Sequence, residues 1–263
     1  MSKPIEQHVE YGPLKLFPSQ VVYECGSLSR ADATVCITLY NYGDRIVDAL
    51  ESVHEQTLER LGLVVLDDRS ADDGPERVER WLRQHGGRFA GARLARHAKN
   101  RGLCHARNSV VSNAESPYVF ILDADNQLYP RCVERLMAGL EGTAFGFAYC
   151  MLERFGDHAG LMGYSSWDPE LLRRTNYIDA MAMIRRDIWR KLGGYAPLNV
   201  PGWEDYDFWC KCAESGIAGL FVPEVLARYR VHDESMLRSE TNLAEKNRSL
   251  RLEMSRRHPW LDL

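Results

Sequence analysis

The chain alternates short apolar runs with longer segments whose apolar residues recur every three to four positions. Residues 34–39 (TVCITL) form a run rich in β-branched side chains, the pattern of a buried strand. After a turn at Tyr40, Asn41, Tyr42 and Gly43, Ile46, Leu50 and Val53 recur at helical spacing, with Asp44 placed to start the helix. The cycle then repeats. Residues 61–66 form a second apolar run ending in Asp67 and Asp68. Residues 73–85 read as a helix with Pro75 in its first turn and Glu76 three residues after Asp73, a capping-box arrangement. Residues 93–95 are a weaker strand, and Leu103, Ala106, Val110 and Ala114 mark a helix after Gly102. Residues 118–122 are a strong strand ending in Asp123 and Asp125, and residues 130–140 read as a helix. This alternation predicts an α/β fold: a Rossmann-like, mostly parallel central sheet with helices on both faces.

The second half is less regular. Residues 143–151 and 181–184 read as strands, residues 204–215 as a helix closed by Gly216, and residues 225–231 as a half-exposed strand. Residues 242–257 read as a polar helix. Residues 1–31 show no period and carry Pro4, Gly12, Pro13, Pro18 and Gly26, which predicts an extended arm lying on the body. No linker divides the chain. The expected organisation is an N-terminal arm (1–31), one domain (32–235) and a helical tail packed on it (236–263).

Composition narrows the function. Thirty-three Lys and Arg against 37 Asp and Glu leave a net charge of −4, which argues against nucleic-acid binding through bulk positive charge. No apolar run approaches the roughly 18 residues of a membrane helix. Residues 1–10 lack the basic stretch and apolar core of a secretory signal. Seven cysteines occur without a CxxC pair, and Cys210 and Cys212 flank a single Lys. They read as reduced thiols of a cytoplasmic protein.

The polar residues at strand ends carry the candidate chemistry. In an open α/β sheet, ligands bind outside the carboxyl ends of the strands, so Tyr40, Asp67, Asp68, Asp123 and Asp125 should converge on one crevice. Asp123 and Asp125 can share a divalent cation that also takes phosphate oxygens; a local turn stabilised by Asp125 and Asn126 is the competing reading. Asp67 and Asp68 need donors, from a ligand's base and ribose or from the following turn. Tyr40 could stack on a base or simply pack. Arg107, inside the helix opened by NRGLCHARN, could hold a phosphate or a carboxylate. Glu204 and Asp205 start a helix, where an ionised carboxylate beside a substrate hydroxyl can act as general base; plain N-capping is the alternative. His232 could meet a metal or a diphosphate, or be an ordinary hydrogen-bonded surface residue.

In this order, TLYNYGD, VVLDDRSADD, NRGLCHARN, FILDADN, GGY, WEDYDFW and YRVHDES resemble the nucleotide-sugar glycosyltransferases of family 2, which share the GT-A fold. The resemblance runs from about Thr34 to Ser235. It implies that Tyr40 and Asp68 hold the uracil of a UDP-sugar, and that Asn100, Gly102 and Arg107 line the nucleotide. It implies Asp123 and Asp125 as the metal–diphosphate pair for Mn²⁺ or Mg²⁺, Asp205 as catalytic base with Glu204 supporting it, and His232 close to the diphosphate. Arg69 stands where the motif often has Gly. The expected reaction is inverting sugar transfer to a saccharide, lipid-linked or protein acceptor. A retaining transferase and a non-catalytic UDP-sugar-binding module are the alternatives. The FILDADN strand also resembles the first motif of haloacid-dehalogenase-type phosphatases, but two βα units precede it and Asn126 follows it. The acceptor pocket is expected between residues 155 and 177 and around Trp203, with Met162, Tyr164 and Trp167 as candidate sugar-stacking residues. Arg248, Arg251, Arg256 and Arg257 of the tail form either a solvated helix face or a peripheral contact with an anionic membrane.

Overall fold

Apolar side chains on successive residues of the buried strands point to opposite faces, so each strand feeds two cores. The computed structural model describes residue 5, residues 11–232 and residues 244–263. In β2 (Ala33–Leu39), Val35, Ile37 and Leu39 enter one core and Cys36 the other. In β3 (Leu61–Asp67), Leu63 and Val65 enter the first, and Val64 and Leu66 the second. The first core is closed by α1 (Ile46–His54), α2 (Gly74–His85) and α4 (Cys132–Leu140). The second is closed by α3 (Leu103–Ser112), α6 (Arg186–Lys191), α7 (Glu204–Glu214) and α8 (Ala244–Arg257). The result is a three-layer, single-domain α/β sandwich.

The remaining strands are β1 (Ser19–Gly26), β4 (Gly91–His97), β5 (Tyr118–Asp123), β6 (Gln127–Leu128), β7 (Phe147–Gly156), β8 (Gly160–Met162), β9 (Ala182–Arg185) and β10 (Gly219–Val231), and a short helix, α5 (Pro169–Leu172), precedes β9. The sheet order is β1-β4-β3-β2-β5-β9-β7-β10-β6, with β8 paired to β7. Strands β2, β3, β4, β5, β7 and β10 run one way, while β1, β6, β8 and β9 run against them. Register aligns the strand ends that matter: Thr38 pairs with Asp123, Leu39 with Asp67, and Asp67 with Arg96. The carboxyl ends of four neighbouring parallel strands therefore lie side by side, as the topology rule requires.

Several local expectations shift. Arg45, not Asp44, takes the N-cap of α1, and Asp44 pairs with the Arg45 side chain. Asp73 does precede α2, but its carboxylate is drawn to Arg77, and Asp72 accepts from Gly74 N instead. The strand expected at 143–151 begins later and runs longer, as β7, and the strand expected at 225–231 begins earlier, as β10. Within the residues expected to form an arm, β1 adds an antiparallel edge strand to β4. Residues 233–235 of the YRVHDES motif lie outside the described residues.

Candidate active site

The first two turns of the site interlock. Asn41, in the left-handed region at φ 58°, donates from its backbone N to Ser70 Oγ and accepts from Ala71 N on Oδ1. Gly43 N donates to Asp72 Oδ2 at 2.8 Å. Arg69 sits at φ 67°, the conformation a Gly would adopt freely, so the turn keeps its shape at the cost of steric strain. Tyr40 projects from the end of β2 and is 46% exposed, open to a planar ligand.

Asp67 and Asp68 are both buried, and both are partnered. Asp67 Oδ1 accepts from Ser70 N, and its other oxygen is 2.6 Å from Arg96 Nε. Asp68 accepts from His97 Nδ1 (2.6 Å), Arg101 N (2.9 and 3.0 Å) and Gly102 N (2.8 Å). Its carboxylate thus latches the Asn100–Arg101–Gly102 turn that opens α3. Gly102 itself, at φ 85°, is the turn's left-handed residue, and Asn100 Oδ1 accepts from its N. Asn100 is exposed at the rim.

Arg107 is buried one turn into α3. Its Nη2 donates to Asp123 Oδ1 and Oδ2 at 3.0 and 3.1 Å. Burial opposes its charge, but Asp123, Glu204 and Asp205 outweigh burial and hold it ionised. Arg107 thus meets a carboxylate, one of the partners expected for it. Asp125 Oδ2 lies 3.0 Å from His232 Nε2, and Arg45 Nη1 lies 3.0 Å from the same nitrogen. Burial, then the charge of Asp123, raises the Asp125 carboxyl, while His232 pulls it down. The turn between them is pinned by β10: Arg230 N donates to Asn126 Oδ1 and Arg230 Nε to the Asp125 carbonyl.

Glu204 and Asp205 open α7, 2% and 8% exposed. Glu204 reaches back to accept from Gly202 N, and Asp205 Oδ1 accepts from Tyr206 N. A helix N-terminus favours ionised acids, yet here burial wins. Burial pushes the Asp205 carboxyl up to about 7; Arg107 opposes this, and Asp179 and Glu204 reinforce it. Burial also raises Glu204, against Arg107.

Asp179 belongs to the same group, although nothing in its local sequence singles it out. It precedes β9, and Oδ1 accepts from Met181 N. Burial pushes it up to about 6, with Asp123 and Asp125 reinforcing. Its charge acts on Asp205 as well, so it lies between the acidic turn and α7. The spatial signal was available only as an acid entering a strand antiparallel to β5.

Among the described residues, no three His, Cys, Asp or Glu side chains group as a metal site. Asp125 meets His232, while Asp123 is turned to Arg107. Two neighbouring carboxylates nevertheless fit Mn²⁺ or Mg²⁺, which take one or two carboxylates and complete their shell with phosphate oxygens and water. Of the candidate acceptor residues, Tyr164 is 69% exposed, Trp167 packs edge-on to Phe147, and Met162 packs partly against the first core. In the tail, Arg257 Nε turns inward to Asp207 at 2.7 Å, and Arg251 lies over the Trp203 ring.

The fold and site define a class, and comparison with known proteins gives the family. The family described as "Glycosyl transferase family 2" matches residues 34–201, and the chain belongs to it: it is a glycosyltransferase of GT-A fold. The provisionally named glycosyltransferase EpsE of Bacillus subtilis is 24% identical over 208 residues, 77% of this chain and 73% of EpsE. The uncharacterized glycosyltransferase YibD of Escherichia coli is 34% identical over 104 residues, 40% of this chain and 29% of YibD. Among solved structures, S. aureus TarS 1–349 in complex with UDP-GlcNAc superposes with a TM-score of 0.68 at 15% identity, covering 88% of this chain and 68% of TarS. The mannosyltransferase PcManGT of Pyrobaculum calidifontis, in complex with GDP-Man and Mn²⁺, gives 0.63 at 24% identity, covering 86% and 62%. These two likenesses are of fold. Among the described residues, no helix is long and apolar enough to cross a membrane, and all seven cysteines are unpaired.

Proposed function

We propose that the protein moves a sugar from a nucleotide-sugar donor to an acceptor hydroxyl with inversion at the anomeric carbon, and that Asp205 is the general base. The observation that carries this reading is a buried Asp205, with its carboxyl pushed up to about 7, sharing Arg107 with Asp123 of the acidic turn. A base is most effective when its pKa lies near the working pH. Asp205 takes the acceptor proton as the acceptor oxygen attacks the anomeric carbon, and the bond to the diphosphate breaks on the opposite face. Glu204, tied to Gly202 N, braces the start of α7.

Tyr40 and the turn latched by Asp68 form the nucleotide side of the crevice, with Asn100 and Gly102 at its rim. A UDP-sugar is the first donor to test, because Tyr40 and Asp68 match the uracil positions of the family. The nucleotide sugars bound by TarS and PcManGT support the donor class. Asp125, with Asp123, would hold Mn²⁺ or Mg²⁺, and His232 lies against Asp125. When bound, the ion supplies countercharge to the diphosphate leaving group. The acceptor, a saccharide or a lipid-linked or protein glycan, would approach past Tyr164 and Trp203.

The test is a panel of UDP-glucose, UDP-galactose, UDP-GlcNAc and GDP-mannose with and without Mn²⁺, reading nucleotide release and the product anomeric proton by NMR. Metal-dependent release with an inverted product supports the reading. A retained configuration overturns the role of Asp205.

A further inference from the structure

Tyr195 follows the Gly193–Gly194 pair, and its backbone is clamped to α3. Its N donates to Asn108 Oδ1 at 2.8 Å, and its carbonyl accepts from Asn108 Nδ2 at 2.7 Å. The approach is close: a Cβ at Gly194 would stand 2.5 Å from Asn108 Oδ1. The ring is then fixed from two sides. It packs on Phe208 of α7 with centroids 5.2 Å apart, and the Arg107 guanidinium lies 5.9 Å from its centroid. Phe208 is three residues after Asp205, so the two share a helix face.

The hydroxyl of this immobilised ring is buried and has no hydrogen-bond partner among the described residues. Tyr195 as a whole is 1% exposed. Two neighbours also hold unspent capacity. Among the described residues, Arg107 Nε is buried without a partner, and the Asp205 carboxylate is hydrogen-bonded through Oδ1 alone, to Tyr206 N. The charged and titratable groups that act on the hydroxyl are Arg107 from α3, Asp123 from the end of β5, and Asp205 and Cys212 from α7. An orphaned buried hydroxyl costs about 1–3 kcal/mol, which a phenylalanine would avoid. The ring packs on Phe208, on the helix face that carries the base, and a hydroxyl left unpaired there calls for a use.

We propose that Tyr195 is a positioning residue for Asp205: its hydroxyl donates through one buried water to the second Asp205 carboxylate oxygen and fixes the carboxylate toward the acceptor. Arg107 Nε, buried and also without a partner among the described residues, would donate to the same water, so the three groups form one chain. The inference rests on the reading of Asp205 as base and deepens it. A donor to the ionised carboxylate favours its charged form and opposes the upward push of burial, Asp179 and Glu204.

The experiment compares Tyr195→Phe, Asp205→Asn and the double variant in the full chain, using whichever member of the four-donor panel turns over fastest. Thermal unfolding, UDP affinity, KM, kcat and the pH dependence of kcat are read together. Tyr195→Phe should lower kcat about tenfold at pH 7 and move the acid limb to higher pH. KM and UDP affinity should hold within about twofold, Tm should be unchanged or higher, and Asp205→Asn should show no further loss on adding Tyr195→Phe. An unchanged kcat and acid limb would overturn the inference, as would a lower Tm with kcat intact, the mark of a purely structural hydroxyl. If Asp205→Asn keeps turnover, the base assignment falls and takes this inference with it. If Asp205→Asn is inert while Tyr195→Phe matches the natural protein, the inference alone fails.

Discussion

Arg107 Nη2 donates to both carboxylate oxygens of Asp123, and the same buried guanidinium pulls down the carboxyls of Asp205 and Glu204. One cation therefore serves the acidic turn and the start of α7. Arg107→Ala should leave a group of buried acids without their counter-charge. The acid limb of kcat should move to higher pH, and kcat/KM should fall at least about tenfold at pH 7. Arg107→Lys restores a charge without the two-oxygen grip and should recover only part. A pH–rate profile of both variants checks this, and an acid limb unmoved in Arg107→Ala would refute it.

Asp68 acts on the loop before any nucleotide arrives. Each of its oxygens accepts from more than one donor, so in Asp68→Asn the amide NH₂ must face a backbone N–H or His97 whichever way it turns. The expected cost is about 2 kcal/mol, seen as a lower urea midpoint at constant m-value. An unchanged midpoint would mean that the latch contributes nothing.

Asp179 should report its place through pH. Its folded-state carboxyl is raised to about 6 from an ordinary value of 3.8. It therefore contributes stability that is fully present below the unfolded value and lost as pH rises through about 6. Asp179→Asn removes that loss. The variant should gain about 1–2 kcal/mol relative to the natural protein between pH 4 and pH 8, allowing for partial exposure. Removing this negative charge should also move the acid limb of kcat to lower pH. Parallel stability curves of the two proteins would contradict the assignment.

The tail is built into the helix that carries the base. Burial opposes the charge of His258, but Asp207 and Glu214 outweigh it and raise its pKa. Its ring nitrogens lie 3.1 and 2.7 Å from those acids. That stabilisation is present below the unfolded value of 6.5 and lost as pH rises through the raised folded value. His258→Ala should cost about 3 kcal/mol at pH 6 by leaving buried acids short of a partner, and less at pH 9. Thermal unfolding across that range decides it; a cost that grows with pH would be the wrong sign.

The sequence made the central strands legible because period and length agreed: β2, β3 and β5 are mostly apolar runs between turn residues. The expectation that Tyr40, Asp68 and Asp123 gather at one end of the sheet followed from the strand positions and the rule for the carboxyl ends of parallel strands. What escaped had no local signature. β1 pairs on one edge only and leaves Val21 and Val22 exposed, so its pattern is not that of a buried strand. Asp207, Lys211 and Glu214 look like a solvated helix face, yet all three are buried. Their partners, Tyr11, Arg257, His258 and Trp260, come from both ends of the chain. Asp179 reaches the site only through antiparallel β9, and Tyr195, although part of the GGY motif, through the clamp on Asn108; no spacing rule encodes these contacts.

Asp205→Asn bears most directly on the central claim. The exchange is nearly isosteric and removes the raised carboxyl, so the variant should fold at least as stably as the natural protein at pH 8. With the fastest donor of the panel, kcat should fall by at least about 100-fold while UDP affinity holds within about twofold. A variant that binds UDP and still turns over within about tenfold of the natural protein would contradict Asp205 as the base.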